Sequence, residues 1–232
     1  MSQLRRSALP LLAAFALAGC ASRAADPRRP VVVELFQSQG CSSCPPADAN
    51  VAAIADRPTV IALSFAVTYW DDAHWKDSFA QPAYTERQWD YARAFGRTNV
   101  FTPEVVVDGT KDGVGVNPAE LARLVSSARP APGPAIALAA ASVDIGPGAA
   151  PTAADVWLAR YDPRVLQVAI RGGENGGRTL PHKDIVKQFV RLGAWRGRAA
   201  SFTLPASPDP ALKTAVLVQL PKGGPILAAA KG

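Results

Sequence analysis

The sequence holds only three cysteines, two histidines and one methionine among its 232 residues. Three cysteines are too few for a disulfide scaffold. A structural zinc site is disfavoured because no second cysteine pair exists and only His74 and His182 are available to complete a set. The single methionine, Met1, offers no thioether set for copper. Charged residues make up 19% and never form a run of five basic side chains, so the +6 net charge is a mildly basic surface and not a nucleic-acid footprint. Beyond the first twenty residues no apolar run reaches the roughly 18 residues of a membrane span. Against these absences stand 48% hydrophobic residues, enough for a packed core, and 18 Gly with 21 Pro, which point to many turns.

The first twenty residues read as an export signal. Arg5 and Arg6 form a charged start, and Ala8 to Ala18 is apolar but too short to span a bilayer. The stretch ends in Leu17-Ala18-Gly19-Cys20, which resembles a bacterial lipobox, with Cys20 as the lipidated residue; the alternative is an ordinary signal peptide cut near Ala25. Removing residues 1–19 takes away two arginines and no acid, so the net charge falls from +6 to +4. The expectation is an exported, periplasmic protein held to the membrane by a lipid anchor, with no nucleic-acid partner.

Residues 21–30 form a polar linker. Val31–Phe36 is a continuous apolar run with the character of a buried strand. Pro45–Ala55 predicts a helix opened by two prolines, which a first turn tolerates because its N–H groups lack partners. Strands follow at Val60–Phe65 and Glu104–Val107, with a helix over Tyr84–Phe95 between them and a turn at Asp108-Gly109 leading into Val114 and Val116. Asn117, Pro118 and Glu120 start a third helix. Residues 130–134, Pro-Ala-Pro-Gly-Pro, read as a second linker. Beyond it, runs of strand length at Ile136–Val143, Asp155–Tyr161, Val165–Ile170, Ile185–Leu192, Ala199–Leu204 and Ala215–Leu220 are separated by Gly/Pro turns. The division is therefore signal 1–20, linker 21–30, an α/β domain 31–129, linker 130–134 and an all-β, sandwich-like domain 135–232.

Cys41-Ser42-Ser43-Cys44 lies between the first strand and the first helix. A thiolate there faces unpaired backbone N–H groups and the positive end of the helix dipole, which lowers its pKa. This placement predicts Cys41 as an exposed nucleophile and Cys44, one turn further in, as the shielded resolving thiol. Exchange then runs through a mixed disulfide at Cys41. Ser42 and Ser43 are placed to cap the helix or tune the thiolate, and Glu34 is the nearest acid on the preceding strand.

The strand–CxxC–helix start, the order of elements and Thr102-Pro103 just before a strand resemble thioredoxin. That resemblance implies an α/β thioredoxin-like N-terminal domain, with a cis Pro103 beside the disulfide and Thr102-Pro103 as the substrate-docking segment. A longer set of motifs is similar to the exported domain-of-unknown-function 1223 family: Glu34 to Asp48 around the cysteines, Tyr69-Trp70-Asp71, Trp75-Lys76-Asp77, Val106 to Gly109, and Gly172-Gly173-Glu174-Asn175-Gly176-Gly177-Arg178-Thr179-Leu180. Relatives often carry His and Asp where this chain has Ala66 and Thr68, so a proton relay of that kind is missing here.

The function expected is a cell-envelope thiol–disulfide oxidoreductase acting on protein thiols or disulfides. No dissociable cofactor and no metal are expected, since the electrons reside on the cysteine pair. Two rivals stay open: a binding protein in which the pair is a structural staple, and Cu(I) handling through the CxxC. Trp70, Trp75 and Trp89 are read as core ahead of a substrate groove, and His74 as a surface residue. The polar loop Glu174–Arg178 with His182 is read either as a gate facing the disulfide or as a plain hairpin loop.

Overall fold

Every residue of the first strand except Val31 is buried, so β1 (Val31–Gln37) takes the centre of a sheet. The structure, a computed structural model, describes residues 29–129 and 133–232. After β1 come α1 (Pro45–Ala55), β2 (Val60–Ala66), α2 (Pro82–Ala94), β3 (Glu104–Val107), β4 (Lys111–Gly113) and α3 (Pro118–Ser126). The second half adds β5 (Ile136–Leu138), β6 (Ser142–Ile145), β7 (Ala154–Asp162), β8 (Leu166–Ala169), β9 (Thr179–His182), β10 (Ile185–Trp195), β11 (Ala200–Thr203), β12 (Lys213–Gln219) and β13 (Ile226–Lys231). Local chemistry sets the boundaries. Prolines open all three helices, and Asn117 Oδ1 accepts the Ala119 and Glu120 N–H groups at the start of α3.

The fold class expected from the sequence is corrected here. Strand exceeds helix, 36% to 16% of the described residues, and three helices flank one large mixed sheet of eight strands. Its order is β13-β12-β7-β10-β2-β1-β3-β4, so strands of both halves share one sheet. The chain therefore does not build an α/β thioredoxin-like N-terminal domain followed by a separate sandwich. The physical reason lies at one strand edge. β2 pairs with β1 in parallel along seven residues, and its other edge takes β10, also in parallel, through Ile185 and Ser64. A sequence displays strand length and face but not the partner of an open edge.

One face of the large sheet carries a continuous core. Val32 and Phe36 of β1, Ile61, Leu63 and Phe65 of β2, Ala159 and Tyr161 of β7 and Leu217 of β12 pack there against Tyr84 and Tyr91 of α2. The opposite face is covered in two parts. Val33, Leu35 and Ala62 pack beneath α1 and α3 through Val51, Ile54 and Leu121. At the other end, Val156, Leu158, Val216 and Val218 pack with Val143, Ile145 and Phe202 of the three-stranded sheet β11-β6-β5. The hairpin β8–β9 stands apart from both sheets and carries the loop that reaches back to the cysteines.

Candidate functional site

The cysteines sit where β1 hands over to α1. Cys41 N–H donates to Ser38 O at 3.1 Å and Cys44 N–H to Cys41 O at 3.2 Å, which coils the four residues into a tight turn. Ala47 and Asp48 N–H then donate to Cys44 O, beginning the helix. Cys41 and Cys44 are joined as a disulfide with Cα atoms 5.5 Å apart. The Thr102–Pro103 bond is cis, and this segment lies beside the turn. Ser43 Oγ is 3.3 Å from Cys41 Sγ and donates to Thr102 O at 3.5 Å, while Trp70 Nε1–H donates to Thr102 Oγ1 at 2.8 Å. The structure thus brings Cys41, Cys44, Ser43, Thr102 and Pro103 together.

Cys41 is corrected from exposed to buried: its exposure is 0% and that of Cys44 1%. The loop between β8 and β9 closes over the turn. Glu174 N–H donates to Gly40 O at 3.0 Å, and the buried Asn175 amide donates to both Gln39 O (3.0 Å) and Cys41 O (2.8 Å). Ser42 gives its N–H (3.1 Å) and its hydroxyl (2.6 Å) to one oxygen of Glu174. These bonds hold the Glu174 carboxyl below its ordinary pKa. The close approach needs glycine: a Cβ on Gly173 would lie 2.7 Å from Gly40 Cα, and one on Gly172 would lie 2.5 Å from the Trp75 ring. Glu174 and Asn175 stand outside the catalytic and docking residues picked from sequence. Their signal was the run of polar residues flanked on both sides by paired glycines.

Asp77 ties the Trp-rich segment to the same turn. Its carboxylate accepts from Gln39 N–H at 2.6 Å, Ser38 Oγ at 3.1 Å and Phe79 N–H at 2.9 Å, and burial raises its pKa. Asp48 follows Cys44 by one helical turn. It keeps some solvent exposure, but crowding by protein pushes its pKa up to about 8, with the Asp77 charge adding. Gln37, at the end of β1, is fully buried and neither atom of its amide finds a partner.

Other residues singled out in the sequence lie elsewhere. Glu34 is not a neighbour of the disulfide in any hydrogen bond. Its carboxylate takes Arg87 Nε at 2.6 Å and Nη2 at 3.0 Å, and the Tyr91 hydroxyl as well. Ala66 is buried at the end of β2, and Thr68 shares a 2.9 Å hydroxyl contact with Thr85. Trp70 packs against the main core, Trp75 lies against Gly40 and Gly172, and Trp89 is partly buried on α2. His74 is exposed and gives its N–H to Asp72. His182 is buried against Phe79 with both ring nitrogens unpartnered, and burial lowers its pKa to about 4. Cys20 and residues 130–132 lie outside the described residues. Among the described residues no three His, Cys, Asp or Glu side chains gather as a metal site. No described helix is long and apolar enough to cross a membrane.

Comparison with known proteins adds three findings. A family profile described as "Protein of unknown function (DUF1223)" matches residues 32–219. The crystal structure of protein AGR_C_4864 from Agrobacterium tumefaciens is 32% identical, with a TM-score of 0.72 over 87% of this chain and 92% of that one. HBP35 of Porphyromonas gingivalis is similar in fold alone, at 13% identity and a TM-score of 0.57 over 88% of this chain and 75% of that one. No curated protein matches the sequence.

Proposed function

This chain belongs to the DUF1223 family, and from its site geometry we propose that it is a thiol–disulfide oxidoreductase of the cell envelope. The observation that carries the reading is the closed Cys41–Cys44 pair at a strand-to-helix junction, with a hydrogen-bonded polar loop held on its turn. In the reducing direction, the Cys41 thiolate attacks one sulfur of a substrate disulfide. A mixed disulfide forms and the first substrate thiolate leaves. Cys44 loses its proton and attacks Cys41 Sγ, which releases the second substrate thiolate and regenerates the disulfide. Two electrons pass from the cysteine pair to the substrate, and solvent protons complete the two product thiols. Oxidation of a substrate dithiol is the same sequence reversed.

Cys41 and Cys44 carry this chemistry, and Thr102 and Pro103 form the wall against which a substrate segment docks. The substrates are protein thiols or disulfides, and no separate cofactor is required because the pair itself stores the electrons. The export-like first twenty residues support an envelope location, with Cys20 as the lipid anchor. A second reading is favoured by one observation. Both sulfurs are almost wholly shielded, as in a structural staple on a binding protein.

The reduction potential of the pair separates these readings. Equilibration of the purified protein in graded glutathione and dithiothreitol buffers is expected to give a reversible two-electron transition between about −270 and −120 mV. A pair that stays oxidised to below about −300 mV is a staple and refutes the exchange reading.

A further inference from the structure

A thiolate forming at Cys41 draws on whatever donors the turn leaves free. Ser42 follows directly, yet both of its donors are already committed to Glu174 Oε2. That carboxylate is surface-exposed and stays ionised at neutral pH, since the two Ser42 bonds favour its charged form. It therefore places a negative charge one residue from Cys41 and engages both donors of Ser42, which leaves the Ser43 hydroxyl, 3.3 Å from Cys41 Sγ, as the side-chain donor beside the sulfur. Like charges disfavour each other's ionised forms, and so does the loss of hydrogen-bond donors.

The same residue helps hold the roof. Glu174 N–H to Gly40 O and the Asn175 amide to Cys41 O pin the loop to the backbone of the cysteine turn. We propose that Glu174 is a positioning residue that holds Cys41 in a weakly reactive state through Ser42, and that displacing its loop frees the donors and the sulfur together. A substrate segment that enters beside Thr102–Pro103 and lifts the loop would thereby raise the reactivity of the thiol it is about to meet. The proposal deepens the exchange reading and rests on it for its purpose, but the tuning itself can be read without any protein substrate.

The test uses the full chain with Cys20→Ser, so that one thiol pair reports. Glu174→Gln keeps the side-chain shape and removes the charge. Against dithiothreitol it is expected to shift the equilibrium toward the dithiol three- to tenfold, about 14–30 mV for a two-electron couple. It is also expected to move the pH midpoint of iodoacetamide alkylation of reduced Cys41 downward. Ser42→Ala is expected to shift the equilibrium in the same direction and to shrink the further effect of Glu174→Gln. Both differences contract in 1 M salt, where the Debye length falls to about 3 Å. Glu86→Gln, an exposed residue on α2, changes neither readout. An equilibrium and alkylation midpoint in Glu174→Gln equal to those of the parent protein would overturn the proposal, whatever the parent's potential. A parent pair that resists reduction throughout the exchange-enzyme range, but still responds to Glu174→Gln, sustains the tuning and sinks the exchange reading alone.

Discussion

Replacing Arg87 by Met leaves a carboxylate stranded in the core. Glu34 is 0% exposed and Arg87 7%, and the two meet through a bidentate pair at 2.6 and 3.0 Å. Arg87 Nη2 also donates to the Tyr91 hydroxyl at 2.9 Å and to Gln219 Oε1 at 3.1 Å. The guanidinium lies 4.5 Å from the centre of the Phe189 ring. One side chain of α2 thus binds β1 and β12, from opposite ends of the sequence. Removing one partner of a buried pair costs about 3–5 kcal/mol, because the remaining charge keeps its desolvation penalty. At this chain length each kcal/mol moves Tm by about 2–4 °C, so Arg87→Met is expected to lower Tm by roughly 6–20 °C. Circular dichroism and tryptophan fluorescence should report the loss at the same temperature, since the network spans both halves. The double variant Glu34→Leu/Arg87→Met removes both charges and is expected to lose less than the sum of the two single variants. A loss under about 1 kcal/mol, the worth of an exposed pair, or strict additivity in the cycle, would refute this account of the core.

The remaining expectations concern acidity, the loop and the disulfide. Asp48 and Asp184 have pKa values raised to about 8 and about 7 by burial, so the folded chain binds their protons more tightly than the unfolded one. Stability should therefore fall as pH rises from about 4 to about 8 and level off above, most plainly beyond pH 6.5 where His182 no longer opposes it, read as a lower urea midpoint, and Asp48→Asn should flatten that slope. His182, lowered to about 4 from 6.5, acts in the opposite sense, and only below its unfolded value. Gly173→Ala combines a φ of +65° with a Cβ 2.7 Å from Gly40 Cα, so it should unseat the loop and speed dithiothreitol reduction at least tenfold. Gly177→Ala, with φ +83° but open space around it, should leave that rate within about twofold while costing about 1 kcal/mol of stability. Reduction of Cys41–Cys44 opens a very short loop, worth about 2 kcal/mol by chain entropy, so Tm should drop by no more than about 8 °C.

Much of the first half was legible because its signals are local. An unbroken apolar run marks β1, paired prolines mark α1, and Asn117-Pro118 marks α3, each close to the observed boundary. The cysteine turn was legible for the same reason, whereas the place of Thr102–Pro103 beside it was implied by the resemblance to thioredoxin and by no local signal. In the second half β9 contains Pro181 and half of β13 is alanine, so neither carries the β-branched pattern that identifies a strand. Ile136–Val143 reads as one run but forms two short strands around a turn. The larger misses are all long-range. Glu34 looks like a companion of the cysteines along the chain, yet its true partner lies 53 residues away on α2. Ser42 and Glu174 are separated by 132 residues, and no periodicity links them. Cys41 is buried where the distant loop and the Thr102 and Trp75 segments all meet the turn, so the local reading of an exposed thiol at a helix start failed for want of these long-range neighbours.

The single parallel contact between β2 and β10 has a bearing on how the chain could be divided. Without the second half, β2 would present the open side of a seven-residue strand, VIALSFA, buried along its whole length in the intact chain. Such an edge is uncharged and free of proline, lacking two of the devices by which proteins keep strand edges from joining one another. A fragment ending at the Pro-rich segment near residue 130 would carry the cysteine turn intact and still be prone to self-association through that exposed ladder. The cleanest break in the sequence is thus a poor place to cut the protein.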